Sequence, residues 1–279
     1  MSRLLIDFSS QKLHMSTNLY VILPNTNLDF FSNGVRYNKD GKLKAVWLLH
    51  GMGDDYTGWL RYSNIERYAM ARGIAVICPS SVPQSMYSDM VKGLSYFSYI
   101  ADELPAFIHE TFPQISMDRE DNYIAGLSMG GYGALKFGLS RPEQYCKVGC
   151  LSCGNIIDLE LPPEPEEENF LTPFYGVARN AFGVPTMKDA TGTKDDLHHL
   201  ADELAGTGRP IPDLYMYCGE NDFVRSISDQ TASYLKEKLG DQTNFVYKTG
   251  PGEHNWDFWD HWLPIMLDDF GLTSLFEKE

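Results

Sequence analysis

One serine stands out by the residues around it. Ser128 lies at the centre of Gly126-Leu127-Ser128-Met129-Gly130. The apolar stretch Asn-Tyr-Ile-Ala precedes this run, and a stretch rich in small residues, Gly130 to Leu139, follows it. A G-x-S-x-G run between a strand and a helix is the setting that holds a serine hydroxyl on a sharp turn at a sheet edge. The turn is strained, so residues two places away must lack bulk, as Gly126 and Gly130 do. Gly131 and Gly133 would let the helix approach the sheet closely. A helix N-terminus next to the serine also favours developing negative charge. This chemistry is nucleophilic attack on a carbonyl, and a serine needs a base to do it.

The chain has seven histidines: His14, His50, His109, His198, His199, His254 and His261. In such a strand–turn–helix framework the order along the chain is serine, acid, histidine. That order leaves the last four. His198 and His199 fall in a segment with little to fix its backbone, and His261 falls well inside the last helical stretch. His254 ends Gly-Pro-Gly-Glu-His, between the last strand pattern and the last helix pattern, so it is the expected base. The acid should leave the preceding strand. Asp222, in Cys-Gly-Glu-Asn-Asp-Phe, is the expected partner; Glu220 is its rival, and Asp257 is too close to the histidine in sequence.

A tetrahedral intermediate also needs two fixed N–H donors. Met129, after the serine, should supply one. The other should come from His-Gly-Met-Gly at the end of an early strand, from Met52 or from Gly51, with Met52 favoured. His50 reads as a support for that loop. Trp59, Tyr132, Phe174, Tyr175, Phe182 and Trp256 are candidate walls of a substrate pocket.

These side chains need a scaffold. Short apolar runs at 19–23, 43–49, 74–78, 122–125, 147–151, 214–218 and 245–248 read as strands, four of them continuously apolar. That pattern suits a parallel sheet buried on both faces. Helical patterns at 59–72, 95–112, 131–140, 226–239 and 256–270 alternate with them, which predicts an α/β sheet with helices on both faces. Arg141-Pro142 should stop the third helix and Gly240 should close the fourth. From about 155 to 211 no buried strand is expected. This stretch opens on Leu-Pro-Pro-Glu-Pro, holds Phe170, Phe174, Tyr175 and Phe182, and ends in a short helical pattern at 195–204. A segment this long is expected to be a lid-like insertion in one domain spanning 1–279.

The whole chain has 279 residues, 43% of them hydrophobic, and a formal net charge of −15. The hydrophobic share excludes a mainly disordered chain. The acidity makes nucleic acid a poor partner. No apolar run reaches the roughly 18 residues of a membrane span, and the N-terminus lacks the apolar stretch of a secretory signal. A cytoplasmic protein is therefore expected. The five cysteines sit mostly in apolar runs. Cys150-x-x-Cys153 has no second pair at zinc-site spacing, so it reads as two small buried hydrophobes.

Taken together, Gly-Leu-Ser-Met-Gly-Gly-Tyr-Gly-Ala-Leu-Lys, His-Gly-Met-Gly-Asp-Asp-Tyr-Thr-Gly-Trp, Cys-Gly-Glu-Asn-Asp-Phe and Gly-Glu-His-Asn-Trp-Asp-Phe-Trp resemble the esterase D-like branch of the α/β-hydrolases. That branch holds tributyrin esterases, feruloyl esterases, S-formylglutathione hydrolases and the antigen 85 mycolyltransferases. The resemblance runs from about 16 to 272 and is nearest to bacterial tributyrin-type carboxylesterases. It implies an α/β-hydrolase fold, a triad of Ser128, Asp222 and His254, and oxyanion donors at Met52 and Met129. It implies hydrolysis of short-chain acyl or aryl esters, with acyl transfer or thioester hydrolysis as alternatives and a non-catalytic binding relative as the alternative outside enzymes. Such a site needs no metal and no cofactor. A small-molecule ester is the expected partner, with no nucleic acid and no membrane, and self-association into a homo-oligomer is left open.

Overall fold

A computed structural model describes residues 1–24, 37–169 and 171–274. The continuously apolar runs become the middle of one eight-stranded sheet. Strands β1 (Ser2–Ser10) and β2 (Met15–Leu23) form an antiparallel hairpin at one edge. Strands β3 (Ala45–Leu49), β4 (Ala75–Pro79), β5 (Asn122–Leu127), β6 (Lys147–Leu151), β7 (Asp213–Gly219) and β8 (Phe245–Gly250) follow. The order across the sheet is β1-β2-β4-β3-β5-β6-β7-β8, and every pairing beyond β2 and β4 is parallel. β3, β4 and β5 are buried at every residue, as strands covered on both faces must be.

Two apolar layers cover the sheet. Alternation along β3 sends Trp47 and Leu49 to one and Val46 and Leu48 to the other. Helices α1 (Gly58–Tyr62), α2 (Ile65–Arg72) and the C-terminal helix α9 (Trp256–Asp269) pack on the second layer through Trp59, Ile65 and Leu263. The first layer takes the helix that begins at α3 (Tyr96–Ser98) and ends as α4 (Leu104–Thr111), α5 (Met129–Ser140) and α8 (Arg225–Leu239).

Three expectations need correction. β1 was not anticipated. It is a half-exposed edge strand in which Leu4, Ile6 and Phe8 alternate with more exposed residues, so its signal is a period-two pattern and not an apolar run. The helix expected over 59–72 is two helices. Ser63 turns extended, its hydroxyl takes the Trp59 carbonyl, and Asp260 captures both the backbone and side-chain N–H groups of Asn64 at 2.8 Å. Such side chains compete with the helical ladder. Cys150 and Cys153, read as unlinked, form a disulfide. Both are buried, and the left-handed backbone at Ser152 (φ 54°) folds the chain back after β6, bringing their Cα atoms to 6.2 Å, within bridging range. Pro105 does not end its helix; a π-helical turn over Tyr99–Glu103 precedes it and carries the chain into α4.

Between 155 and 211 the described residues contain no strand. They form α6 (Thr172–Gly176), a π turn at Val177–Phe182, a 3₁₀ turn at Met187–Ala190 and α7 (Leu197–Ala205). Phe170 lies outside the described residues. Val177, Phe182, Leu197 and Leu204 pack it into the first apolar layer, and polar contacts tie it to α5: Lys136 forms a fully buried ion pair with Asp195, and the Tyr132 hydroxyl donates to the Asp195 carbonyl. Within the segment, Asn155 donates to Asp196 at 2.9 Å.

Candidate active site

The sequence builds the Ser128 turn by leaving no room for anything else. Ser128 has φ 51° and ψ −120° and caps α5. A Cβ on Gly126 would lie 2.4 Å from Gly130 backbone atoms, and one on Gly130 would lie 2.4 Å from the Leu49 carbonyl oxygen. Only glycine allows β5, α5 and the end of β3 to meet this closely. The Ser128 N–H donates to the Leu151 carbonyl at 2.8 Å, which fixes the turn against β6.

Asp222 and His254 reach the same edge from β7 and β8, each through a short turn at the strand's C-terminal end. His254 Nε2 lies 2.9 Å from Ser128 Oγ, and His254 Nδ1 lies 2.9 and 3.1 Å from the two Asp222 carboxylate oxygens. If Nδ1 carries the proton toward the carboxylate, Nε2 is free to accept from the serine. The Asp222 side chain is fully buried. Burial alone would push its carboxyl up. The hydrogen bond and charge of His254, the Val224 N–H and the Ser152 hydroxyl outweigh that and hold it below the usual carboxylate range. The rival Glu220 is exposed, and its backbone N–H is taken up by the Gly250 carbonyl.

The loop after β3 is fixed from behind. His50 is buried; its Nε2 accepts the Ser81 N–H at 2.9 Å, so its Nδ1 carries the hydrogen and donates to the Gly51 carbonyl at 2.8 Å. Burial lowers the His50 pKa, which suits a neutral ring in this double role. A trans peptide points its C=O and N–H in opposite directions. Holding the Gly51 carbonyl therefore turns the Met52 N–H away from His50. A Cβ on Gly51 would meet Leu127 Cδ1 at 2.6 Å and Ser128 Cβ at 3.6 Å, so this peptide abuts the Ser128 turn.

A small cavity opens beside Ser128. Met52, Met129, Tyr132 and Phe174 line it, as do Met86, Ser152, Cys153, Ile156, Phe223 and Ile227. The other aromatic candidates lie elsewhere. Trp59 is buried with its indole N–H on the Leu49 carbonyl, and Trp256 packs edge-on against it. Phe182 is core, and Tyr175 lines a separate cavity within the 155–211 segment, with its hydroxyl on the Pro162 carbonyl.

Comparison with known proteins draws these features together. A family model described as "Putative esterase" matches residues 10–160, over half of the chain. The acetyl esterase of Caldicellulosiruptor saccharolyticus is 32% identical over 262 residues, covering 92% of this chain and 94% of that protein. The chain belongs to this esterase family. Among solved structures, FphF, a fluorophosphonate-binding serine hydrolase of Staphylococcus aureus, superposes on the esterase with a TM-score of 0.80 at 30% identity, covering 98% and 99% of the two chains. The S-formylglutathione hydrolase FrmB of the same organism gives 0.76 at 31% identity, covering 96% and 98%. The esterase is an α/β-hydrolase and hydrolyses esters. No helix among its described residues is long and apolar enough to cross a membrane.

Sequence reasoning missed part of this esterase's cavity. Ile156 and Cys153 follow β6 directly, and Phe223 follows Asp222, so proximity to a strand end was the available signal. Met86 had none, because it comes from a loop with left-handed backbone (φ 46°) after β4.

Proposed function

We propose that the protein is a serine carboxylesterase with Ser128 as nucleophile, His254 as base, Asp222 as the orienting acid, and the N–H groups of Met52 and Met129 as oxyanion donors. The observation that carries this reading is the unbroken Ser128–His254–Asp222 hydrogen-bond chain at 2.9 Å per link. Ser128 Oγ attacks the ester carbonyl carbon while its proton passes to His254 Nε2. The oxyanion draws charge toward the two N–H donors. Collapse expels the alcohol, which takes the proton from His254. Water then gives its proton to His254 and attacks the acyl-enzyme; the acid leaves and Ser128 recovers its hydrogen.

The cavity beside Ser128 supports short acyl groups. It is small, and Met, Phe and Ile side chains dominate its lining. We read 155–211 as a lid-like insertion in a single domain, and the small-molecule ester as the partner. The cytoplasm remains the proposed compartment. Hydrolysis of S-formylglutathione is a second reading, supported by the likeness to FrmB.

The test is a panel of p-nitrophenyl esters from acetyl to octanoyl, with feruloyl ester and S-formylglutathione, run on wild type and Ser128→Ala. A fluorophosphonate probe should label wild type only, and acetyl to butyryl esters should lead. Preference for S-formylglutathione by a hundredfold would favour the second reading, and labelling of Ser128→Ala would refute the nucleophile.

A further inference from the structure

Ser152 sits where a glycine would be easier. It is fully buried just past β6, with φ 54°, a left-handed backbone that disfavours any side chain. Glycine would adopt it without strain, so what serine adds is its hydroxyl. The residue is clamped at the centre of the site. Its N–H donates to the Tyr217 carbonyl of β7, and the carbonyl just before it, on Leu151, accepts from Ser128. Its hydroxyl oxygen accepts the Trp259 indole N–H at 2.9 Å. The Trp259 ring meets the His254 ring edge-on, centroids 5.1 Å apart and planes at 87°.

We propose that Ser152 and Trp259 are positioning residues for the base: the Ser152 hydroxyl anchors the indole N–H, and the anchored indole ring fixes the His254 imidazole. This rests on the triad reading above. A buried indole needs an acceptor in any case, so the alternative is that Ser152 merely satisfies Trp259. The two differ in what they do to catalysis. Around His254 the hydrogen-bonded or ring-packed side chains are Ser128, Asp222, Phe223 and Trp259, of which Asp222 alone is charged. An imidazole whose packing partner is no longer anchored is less often aligned between Ser128 and Asp222, which lowers kcat and leaves KM nearly unchanged.

The experiment measures kcat and KM for p-nitrophenyl acetate across pH for wild type, Ser152→Ala, Ser152→Gly, Trp259→Phe and the double variant Ser152→Ala/Trp259→Phe. Ser152→Gly fits the backbone without strain, so it separates loss of the hydroxyl from misfolding. Both Ser152 variants and Trp259→Phe should each lose a few-fold to about tenfold in kcat with KM nearly unchanged. The double variant should be no slower than Ser152→Ala alone, because the two residues act as one relay. Unchanged kcat in Ser152→Gly, or losses that multiply in the double variant, would overturn the proposal. Ser128→Ala is run alongside. If it keeps turnover, the triad reading fails whatever Ser152 does; if it is inactive, the Ser152 and Trp259 variants alone decide.

Discussion

The turns that present Ser128, Asp222 and His254 and the segment at 155–211 are held by different forces. The turns are fixed by backbone contact with no slack: strand ends in a parallel sheet, and glycines at which a single added carbon would meet main-chain atoms at 2.4 Å. The 155–211 segment has no strand to lock it among its described residues. Side chains hold it to the layer over the sheet: Val177, Phe182, Leu197 and Leu204 join the apolar layer, and Asp195 forms a buried ion pair with Lys136 of α5. Steric fixation tolerates no drift and suits reacting atoms. Side-chain packing and an ion pair can be re-formed with other side chains without disturbing the sheet, and so suit a part that selects what enters.

The largest way to test that contrast is at the turn itself. Ser128→Ala should remove nearly all turnover, leaving only the roughly 10³–10⁴-fold over water that binding and oxyanion donors provide in comparable sites, with circular dichroism unchanged. Asp222→Asn should follow, at about 10⁴ in kcat, while Glu220→Gln stays near wild type because its side chain is exposed. The reverse ranking would move the acid to Glu220.

The ion pair is tested next. Burial lowers the Lys136 ammonium to about 8 against the pull of Asp195, so this pair is poised between two costs. Lys136→Met strands a buried carboxylate and should destabilise the protein by about 3–5 kcal/mol in urea unfolding. Adding Asp195→Leu should recover most of that. At temperatures where both variants are folded, fluorophosphonate labelling of Ser128 should keep its wild-type rate, which would separate the ion pair from the chemistry.

Selectivity comes third. Phe174→Ala should change the ratio of kcat/KM between acetyl and octanoyl esters by about 10-fold or more, in line with roughly 1–3 kcal/mol per methylene-sized contact. Tyr175→Ala, one residue on but in a different cavity, should leave the ratio alone. Equal effects would erase the distinction between the two cavities.

The smallest effect is a linkage. The Asp222 carboxyl is held below its ordinary range. It therefore contributes stability above the unfolded value of about 3.9, and loses it as pH falls through the native value. Asp222→Asn lacks this term. The difference in unfolding free energy between wild type and variant should thus shift against wild type as pH drops from about 5 toward 3; a constant difference would contradict it.

What could be read from the residues follows the same division. The strands and the Ser128 turn were legible because their signals are local: apolar runs of strand length and glycines two places from a serine. The positions of Asp222 and His254 were legible because parallel strands bring their C-terminal ends to one edge. β1 escaped because a half-exposed strand shows alternation in place of a run. The disulfide escaped because it depends on the backbone sign at Ser152, which no composition reveals. Pocket aromatics were the least legible. Trp59 and Phe174 look alike in sequence, and only the assembled layers send one into the core and the other beside Ser128.

The strand order also carries a consequence for biosynthesis. Ser128 and His254 are 126 residues apart, and the acid and base arrive on the two strands nearest the C-terminus. At roughly 5–20 residues per second of synthesis, a nascent chain would display its nucleophile turn for about 6–25 s before the histidine is even translated. During that interval the serine has no base and is inert toward the esters around the ribosome. Under the proposed roles, reactivity is switched on by the docking of the last strand and helix, so that only a finished chain is an armed one.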